Sequence, residues 1–193
     1  MARVREFDPE EALEKALALF WRNGYAETTM RDVVAYTGVA HAGLYGAFGS
    51  KHDLFKAALI HHRNTTMAWL LRDLEAPDAG RPEVEQFFEA LLDIIESGDF
   101  DNGCFMLNTG IAFGGKDDDI MDNVHAHLEQ MVQAFQRALE RAKAQGDVRA
   151  DLDPRATAEF LVSVFNGTAA FARARTPYDR IERSVRTALK ELD

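Results

Sequence analysis

Residues 28–51 read TTMRDVVAYTGVAHAGLYGAFGSK, two short helices joined by a tight turn and followed at once by the start of a third. Thr29 suits an N-cap and Asp32 falls at N3, so the first turn can satisfy its orphan N–H groups and place an acid at the positive end of the dipole. Met30, Val33 and Val34 then share a face. Gly38 ends the helix where the backbone needs positive φ, Val39 returns to the core, and Ala35 is expected where the two helices cross closely. In the second helix Leu44 and Phe48, four apart, point inward. That leaves His41, Ala42, Gly43, Tyr45 and Gly46 facing outward to varying degrees. A short exposed helix braced by its predecessor has the shape that enters a DNA major groove.

Together with the preceding LFWRNGYAETT (residues 19–29), the segment resembles the N-terminal DNA-binding domain of TetR-family transcriptional regulators. The resemblance rests on Phe20, Gly24, Tyr25, Thr28, Thr29, Ala35, Gly38, Val39, Leu44, Tyr45, Phe48, Ser50 and Lys51, all in register, and covers about the first third of the chain. It implies an all-α fold of about nine helices: a helix-turn-helix three-helix domain over residues 1–50 and a helical effector-binding and dimerisation domain over 51–193. It further implies a homodimer that binds a pseudo-palindromic double-stranded operator, most often as a repressor, and leaves it when a small-molecule inducer binds.

The chain has 193 residues, enough for a sizeable core. Its formal net charge of −10 at first argues against a nucleic-acid partner. Residues 1–63, however, carry eight basic and eight acidic side chains and four of the six histidines, so the whole deficit sits in the remainder. DNA contact depends on the local field, and a neutral head on an acidic body is compatible with it. Cys104 is the single cysteine, which excludes an intrachain disulfide and fits a reducing compartment. No apolar run has the length of a membrane span, and MARVREFDPE lacks the apolar region of a signal peptide. A cytoplasmic protein is expected.

Outward from the opening stretch, Asp8-Pro9-Glu10-Glu11 reads as a helix start, with Asp8 as N-cap, Pro9 at N1 and Glu11 closing a capping box; Leu13, Ala16, Leu17 and Phe20 follow at helical spacing to Asn23-Gly24. Ser50 and Asp53 begin another helix through Leu54, Phe55, Ala58 and Leu59, continuing with a break through Met67, Trp69, Leu70 and Leu74. It is expected to link the domains and act as a transmission rod. Beyond the Pro77–Pro82 loop come helical patterns at 83–97, from 102 or 103 to 113, at 118–145, from 155 to about 174 and from 177 to 192. The helix over 118–145 and the one after it present wide apolar faces, read as the dimer interface.

By position in the matching motif, the Thr28 and Thr29 hydroxyls, the Tyr45 hydroxyl and Lys51 would hold phosphates, contacts that set register without reading sequence. Arg31 would serve phosphate or base, and His41, Ala42, Gly43 and Tyr45 would face base edges. The run Ala40-His41-Ala42-Gly43 departs from the family's usual polar pattern: Ala40 supplies no side-chain cap, and each glycine costs the helix about 1 kcal/mol relative to alanine. Either the helix is less ordered without DNA, or the missing side chains let backbone approach the bases while Ala42 touches a thymine methyl and His41 or Tyr45 makes the polar contacts. Direct readout looks thin, and DNA shape is expected to contribute.

Cys104 lies in NGCFMLNTG, similar to a segment in a subset of the family in which some members respond to electrophiles or oxidants; the other reading is a cysteine packed as a small apolar residue. His61-His62 and His125-x-His127 invite a metal reading, but helix neighbours one or two apart diverge, so solvated surface histidines and no metal are expected. Asp117, Asp118 and Asp119 suit the start of a long helix. The resemblance implies an effector pocket, with candidate lining residues Trp69, Phe88, Cys104, Met106, Phe113, Met121, His125 and Phe165. No nucleophile elbow, phosphate loop or metal motif points to an enzyme, and no cofactor is implied. The rival to a regulator is a helical ligand-binding protein whose degenerate recognition helix binds DNA weakly or without sequence preference.

Overall fold

A computed structural model describes residues 7–193; the charged opening Met1–Glu6, read above as unlike a signal peptide, lies outside the described residues. The described chain is helical, without strands, in the order α1 (Pro9–Asn23), α2 (Met30–Thr37), α3 (His41–Phe48), α4 (Lys51–His62), a π-helical turn (Arg63–Met67), α5 (Ala68–Leu71), α6 (Arg81–Ser97), α7 (Phe105–Phe113), α8 (Asp118–Gln145), α9 (Pro154–Arg173) and α10 (Tyr178–Leu189) with a closing 3-10 turn (Lys190–Leu192). Because α4, the π turn and α5 run on without interruption, these segments make nine rods, and the break expected after α4 is the π turn.

Local chemistry sets most boundaries. The Asp8 carboxylate accepts the Glu10 N–H at 2.9 Å, but Glu11 pairs with Lys15 at 2.7 Å instead of closing a capping box, because an ammonium one turn on competes with the backbone N–H. Thr29 and Asp32 do form the reciprocal box expected for α2. Gly38 ends it at φ +74. Ala35, expected at the α2–α3 crossing, is exposed; Thr37, in register with Val33, is the buried residue there, its hydroxyl donating to the Val33 carbonyl at 2.8 Å.

α1, α2, α3 and α4 pack around Ala16, Phe20, Val33, Leu44, Leu54 and Phe55. The body is built on α8, whose apolar residues Ile120, Val124, Met131, Phe135, Ala138 and Leu139 are all buried within the chain. Phe87, Phe88, Phe135 and Phe165 form an aromatic cluster at its centre, with ring centroids 5.0–5.9 Å apart and Phe87 edge-on to both Phe88 and Phe135. Arg155 grips Glu129 with two hydrogen bonds of 2.8 and 2.9 Å, pinning α9 to α8 and drawing the Glu129 carboxyl down to about 2. The wide apolar face of α8 is therefore consumed inside the monomer, correcting its assignment to the dimer interface. An unpartnered apolar surface lies on α9 and α10, where exposed Phe160 and Phe171 border a groove of about 310 Å³ with Val164, Gly167 and Ala188.

Besides ring contacts such as Tyr25 and Phe55 with Phe113, α1 and α4 are tied to the later helices and loops by three polar contacts. The Trp21 indole donates to the Gly103 carbonyl at 2.9 Å, Lys56 pairs with Asp119 at 2.8 Å, and His52 faces Asp117 at 3.6 Å. Gly103 adopts φ +63, and a Cβ there would stand 2.8 Å from the Ala169 carbonyl oxygen, so this junction tolerates no side chain. Asp117 also caps α8, accepting the Ile120 N–H at 3.1 Å.

Candidate nucleic-acid interface

The outward face of α3 carries His41, Ala42, Tyr45 and Gly46, while Leu44 is buried and Phe48 half-buried beneath it. His41 and Tyr45, one turn apart, stack with ring centroids 4.3 Å apart and planes 26° from parallel. The stack makes one exposed unit of an imidazole and a phenol. Ala40 gives no side-chain cap, so the first N–H groups of α3 stay open to an acceptor from outside. Arg31, near the start of α2, is exposed as well.

Four other residues proposed from the motif sit differently. Thr28 is fully buried, and its one hydroxyl proton goes to the Gly24 carbonyl at 2.7 Å, which removes it as a phosphate donor. Thr29 is exposed, but its hydroxyl donates to Asp32 at 2.6 Å; that bond and the Thr29 N–H hold the Asp32 carboxyl below its ordinary range. A phosphate would have to displace a carboxylate there. The Lys51 ammonium sits 4.1 Å over the Tyr25 ring, and partial burial lowers its pKa.

Gly43 is the clearest departure. A Cβ there would lie 3.1 Å from the edge of the Phe7 ring and 3.2 Å from a Val39 methyl, so its bare side faces the protein and not a base. Gly46, by contrast, has nothing within 4 Å of that position. Phe7 was missed in the sequence although it stands directly before the Asp8 cap, where an apolar residue often staples the helix start. A second overlooked feature is the Arg22 guanidinium over the exposed Tyr36 ring, 5.6 Å from its centroid.

The eight candidate pocket residues are not brought together. Trp69 is 63% exposed and His125 is exposed, both pointing away from the interior. Phe88, Cys104, Met106 and Phe165 are solid core, and Met121 is half-buried at its edge. Phe113 alone of the eight lines a small cavity of about 40 Å³ between α1, α4 and α7, with Trp21, Tyr25, Phe55, Asn108 and Arg173. Size and helix assignment selected these residues, but rotation about each helix axis decides burial, and an uncertainty of one residue turns a side chain by 100°.

Cys104 caps α7, its sulfur accepting the Leu107 N–H at 3.5 Å, and burial pushes its thiol pKa up. His62 and His127, expected on solvated surfaces, are instead 2% and 0% exposed. His62 lies edge-on between Trp21 and Phe105, with centroids 5.0 and 5.4 Å away. Neither its Nδ1 nor either nitrogen of His127 has a hydrogen-bond partner within the protein. Burial lowers both imidazoles to about 4, with a smaller push from neighbouring cationic groups. Among the described residues no group of three or more His, Cys, Asp or Glu side chains is arranged to hold a metal ion, and no helix is long and apolar enough to cross a membrane.

A short outward helix, braced by a capped predecessor and backed by an acidic helical body, defines a helix-turn-helix DNA-binding regulator. Residues 12–58 match the family described as bacterial regulatory proteins, tetR family, and residues 80–188 match the tetracyclin repressor-like C-terminal domain. The chain belongs to the TetR family of transcriptional regulators. Over 194 residues, covering all of both chains, it is 27% identical to YezE of Bacillus subtilis, an uncharacterized HTH-type transcriptional regulator. It is 28% identical to the HTH-type transcriptional repressor ComR of Escherichia coli, over 97% of this chain and 90% of that one. A cysteine-substituted form of the TetR family regulator CifR, in complex with 26-base-pair operator DNA, superposes with a TM-score of 0.86 at 28% identity, covering 99% of this chain and all of that one.

Proposed function

We propose that the protein is a homodimeric repressor that inserts α3 of each protomer into the major groove of a pseudo-palindromic operator and releases it when a small molecule binds the helical body. Residues 1–50 serve as the reading head and 51–193 as the effector and dimerisation body. The observation that carries this is the exposed His41–Tyr45 stack on a helix whose opposite side is locked into a three-helix core. Tyr45, Arg31, Lys51 once drawn off Tyr25, and the open N–H groups of α3 contact phosphate; His41 and Ala42 meet base edges. The apolar α9–α10 face joins the protomers, which sets the two heads about one turn of DNA apart, roughly 34–36 Å.

Release follows from the ties that α1 and α4 make to the later helices. An effector that prefers a body with α4 displaced draws the population toward that form through its differential affinity, and Trp21–Gly103 and Lys56–Asp119 carry the displacement to α1 and α4. Such a protein acts in the compartment that holds the DNA. The repressor names of relatives such as ComR support the direction of regulation.

Mobility-shift titration on DNA selected from a random pool tests the reading. Binding that falls steeply with salt and prefers a two-fold sequence supports it; no selected sequence refutes it. The uncapped α3 with no lysine or arginine favours the rival, a ligand-binding protein with sequence-blind DNA affinity, and equal binding to all duplexes would establish that rival.

A further inference from the structure

A buried polar atom without a partner costs stability, so each one calls for a reason. His62, 2% exposed at the end of α4, and His127, 0% exposed in the middle of α8, carry three such atoms: Nδ1 of the first and both ring nitrogens of the second. The two rings belong to one place. α4 and α8 run side by side in the same direction, with His52 facing Asp117 and Lys56 paired with Asp119. His62 comes six residues after Lys56 and His127 eight after Asp119, advances of about 9 and about 12 Å at a helix rise of about 1.5 Å, so both imidazoles reach nearly the same level. Beside them the walls are aromatic. The His62 ring stands edge-on to Trp21 and Phe105, and those two rings also line the cavity of about 40 Å³ between α1, α4 and α7. A neutral imidazole offers one N–H and one acceptor nitrogen, and burial keeps both rings neutral, lowered to about 4. An ion brought here would lose its water against aromatic rings, a cost that an uncharged group escapes. The complement of the site is a flat apolar body carrying a group that donates and accepts at once.

We infer that His62 and His127 recognise the effector, and that this effector is a small uncharged hydroxylic compound of which phenol is the minimal form. Its hydroxyl donates to the bare nitrogen of one imidazole and accepts the N–H of the other, while its ring enters the aromatic wall. The inference rests on the reading of the helical body as effector-binding and supplies that effector's chemistry. A cavity of about 40 Å³ holds a few waters at most, so a phenol enters only as α4 and α7 part. It therefore favours the displaced body over the closed one, which is the differential affinity that release requires. The π turn begins at the residue after His62, where α4 can change its winding. Hydrogen bonds to the hydroxyl recover what the unpartnered nitrogens cost.

The test uses the full-length protein carrying Trp69→Phe, which leaves Trp21, beside His62, as the one tryptophan. Trp21 fluorescence is titrated with phenol and with toluene, which has nearly the same shape without the hydroxyl. Phenol should bind at least about tenfold more tightly. His127→Leu and, separately, His62→Leu should bring the two ligands to within about twofold of each other. His127→Leu removes unpartnered nitrogens at similar bulk, so its thermal midpoint should not fall, and a lost preference there is not lost folding. On a duplex selected from a random pool, phenol but not toluene at equal concentration should release the protein that keeps both histidines. No phenol binding, equal binding of phenol and toluene, or a preference that survives both substitutions overturns the site and leaves the DNA-binding reading standing. A preference for phenol without release from the duplex overturns the effector role of the two histidines. A protein that selects no duplex refutes the DNA-binding reading, while the titration still decides the site.

Discussion

Acid should loosen this protein well above the pH at which carboxylates begin to protonate. His62 and His127 are buried, neutral, lowered to about 4, and without partners for three of their four ring nitrogens. An unfolded chain binds a proton at each near the ordinary value of about 6.5. Between these values the unfolded state holds more protons than the folded one, so stability is full above about pH 7 and is lost as pH falls. At about pH 5 an exposed imidazole is almost fully charged while the buried one is about nine-tenths neutral, which costs about 2 kcal/mol per site and about 4 kcal/mol for the pair. Urea unfolding followed by circular dichroism at about pH 8 and about pH 5 measures the difference, since a window above carboxylate titration isolates histidines. His127→Leu, which replaces an imidazole having no partner with an apolar side chain of similar bulk, should halve the loss to about 2 kcal/mol. A wild-type stability that is the same at both pH values, or an unaltered pH slope in the Leu variant, would refute the reasoning.

The exposed apolar face of α9 and α10 predicts that Phe160→Glu with Phe171→Glu converts a dimer to a monomer in sedimentation while helicity is retained; a dimer that survives places the interface elsewhere. Gly46→Ala, whose added methyl meets open space, should stabilise the protein by about 0.5–1 kcal/mol in urea, whereas Gly43→Ala should not gain because Phe7 and Val39 must give way. Cys104 should resist iodoacetamide in the native state and react only in denaturant, as followed by mass spectrometry, because its thiol is buried and its pKa raised. Breaking the exposed Lys56–Asp119 pair in a double-mutant cycle should reveal a coupling of at most about 1 kcal/mol; a larger value would make that pair a structural clamp.

The TTMRDVV run and its flanks were legible because helix starts, stops and faces are local chemistry. Thr29 with Asp32, Gly38, and Ser50 with Asp53 do their work within four residues, and each forms the contact its spacing promised. The same logic predicted the long α8 and its apolar side. It failed where two plausible partners lay in reach, as when Glu11 chose Lys15 over the backbone.

The candidate effector residues are scattered for a different reason. A side chain's burial depends on how far its helix is rotated against neighbours scores of residues away, which no local pattern encodes. His62 meets Trp21 and Phe105, and Lys56 meets Asp119 across 63 residues. The order and amphipathic faces of the helices, and the DNA-reading motif, were thus determined by the sequence alone, because turns, caps and apolar periodicity act over a few bonds. Tertiary packing decided which histidines are interior, which apolar face is left unpartnered, and that Gly43 makes room for Phe7, because those outcomes depend on which surfaces the folded chain brings together.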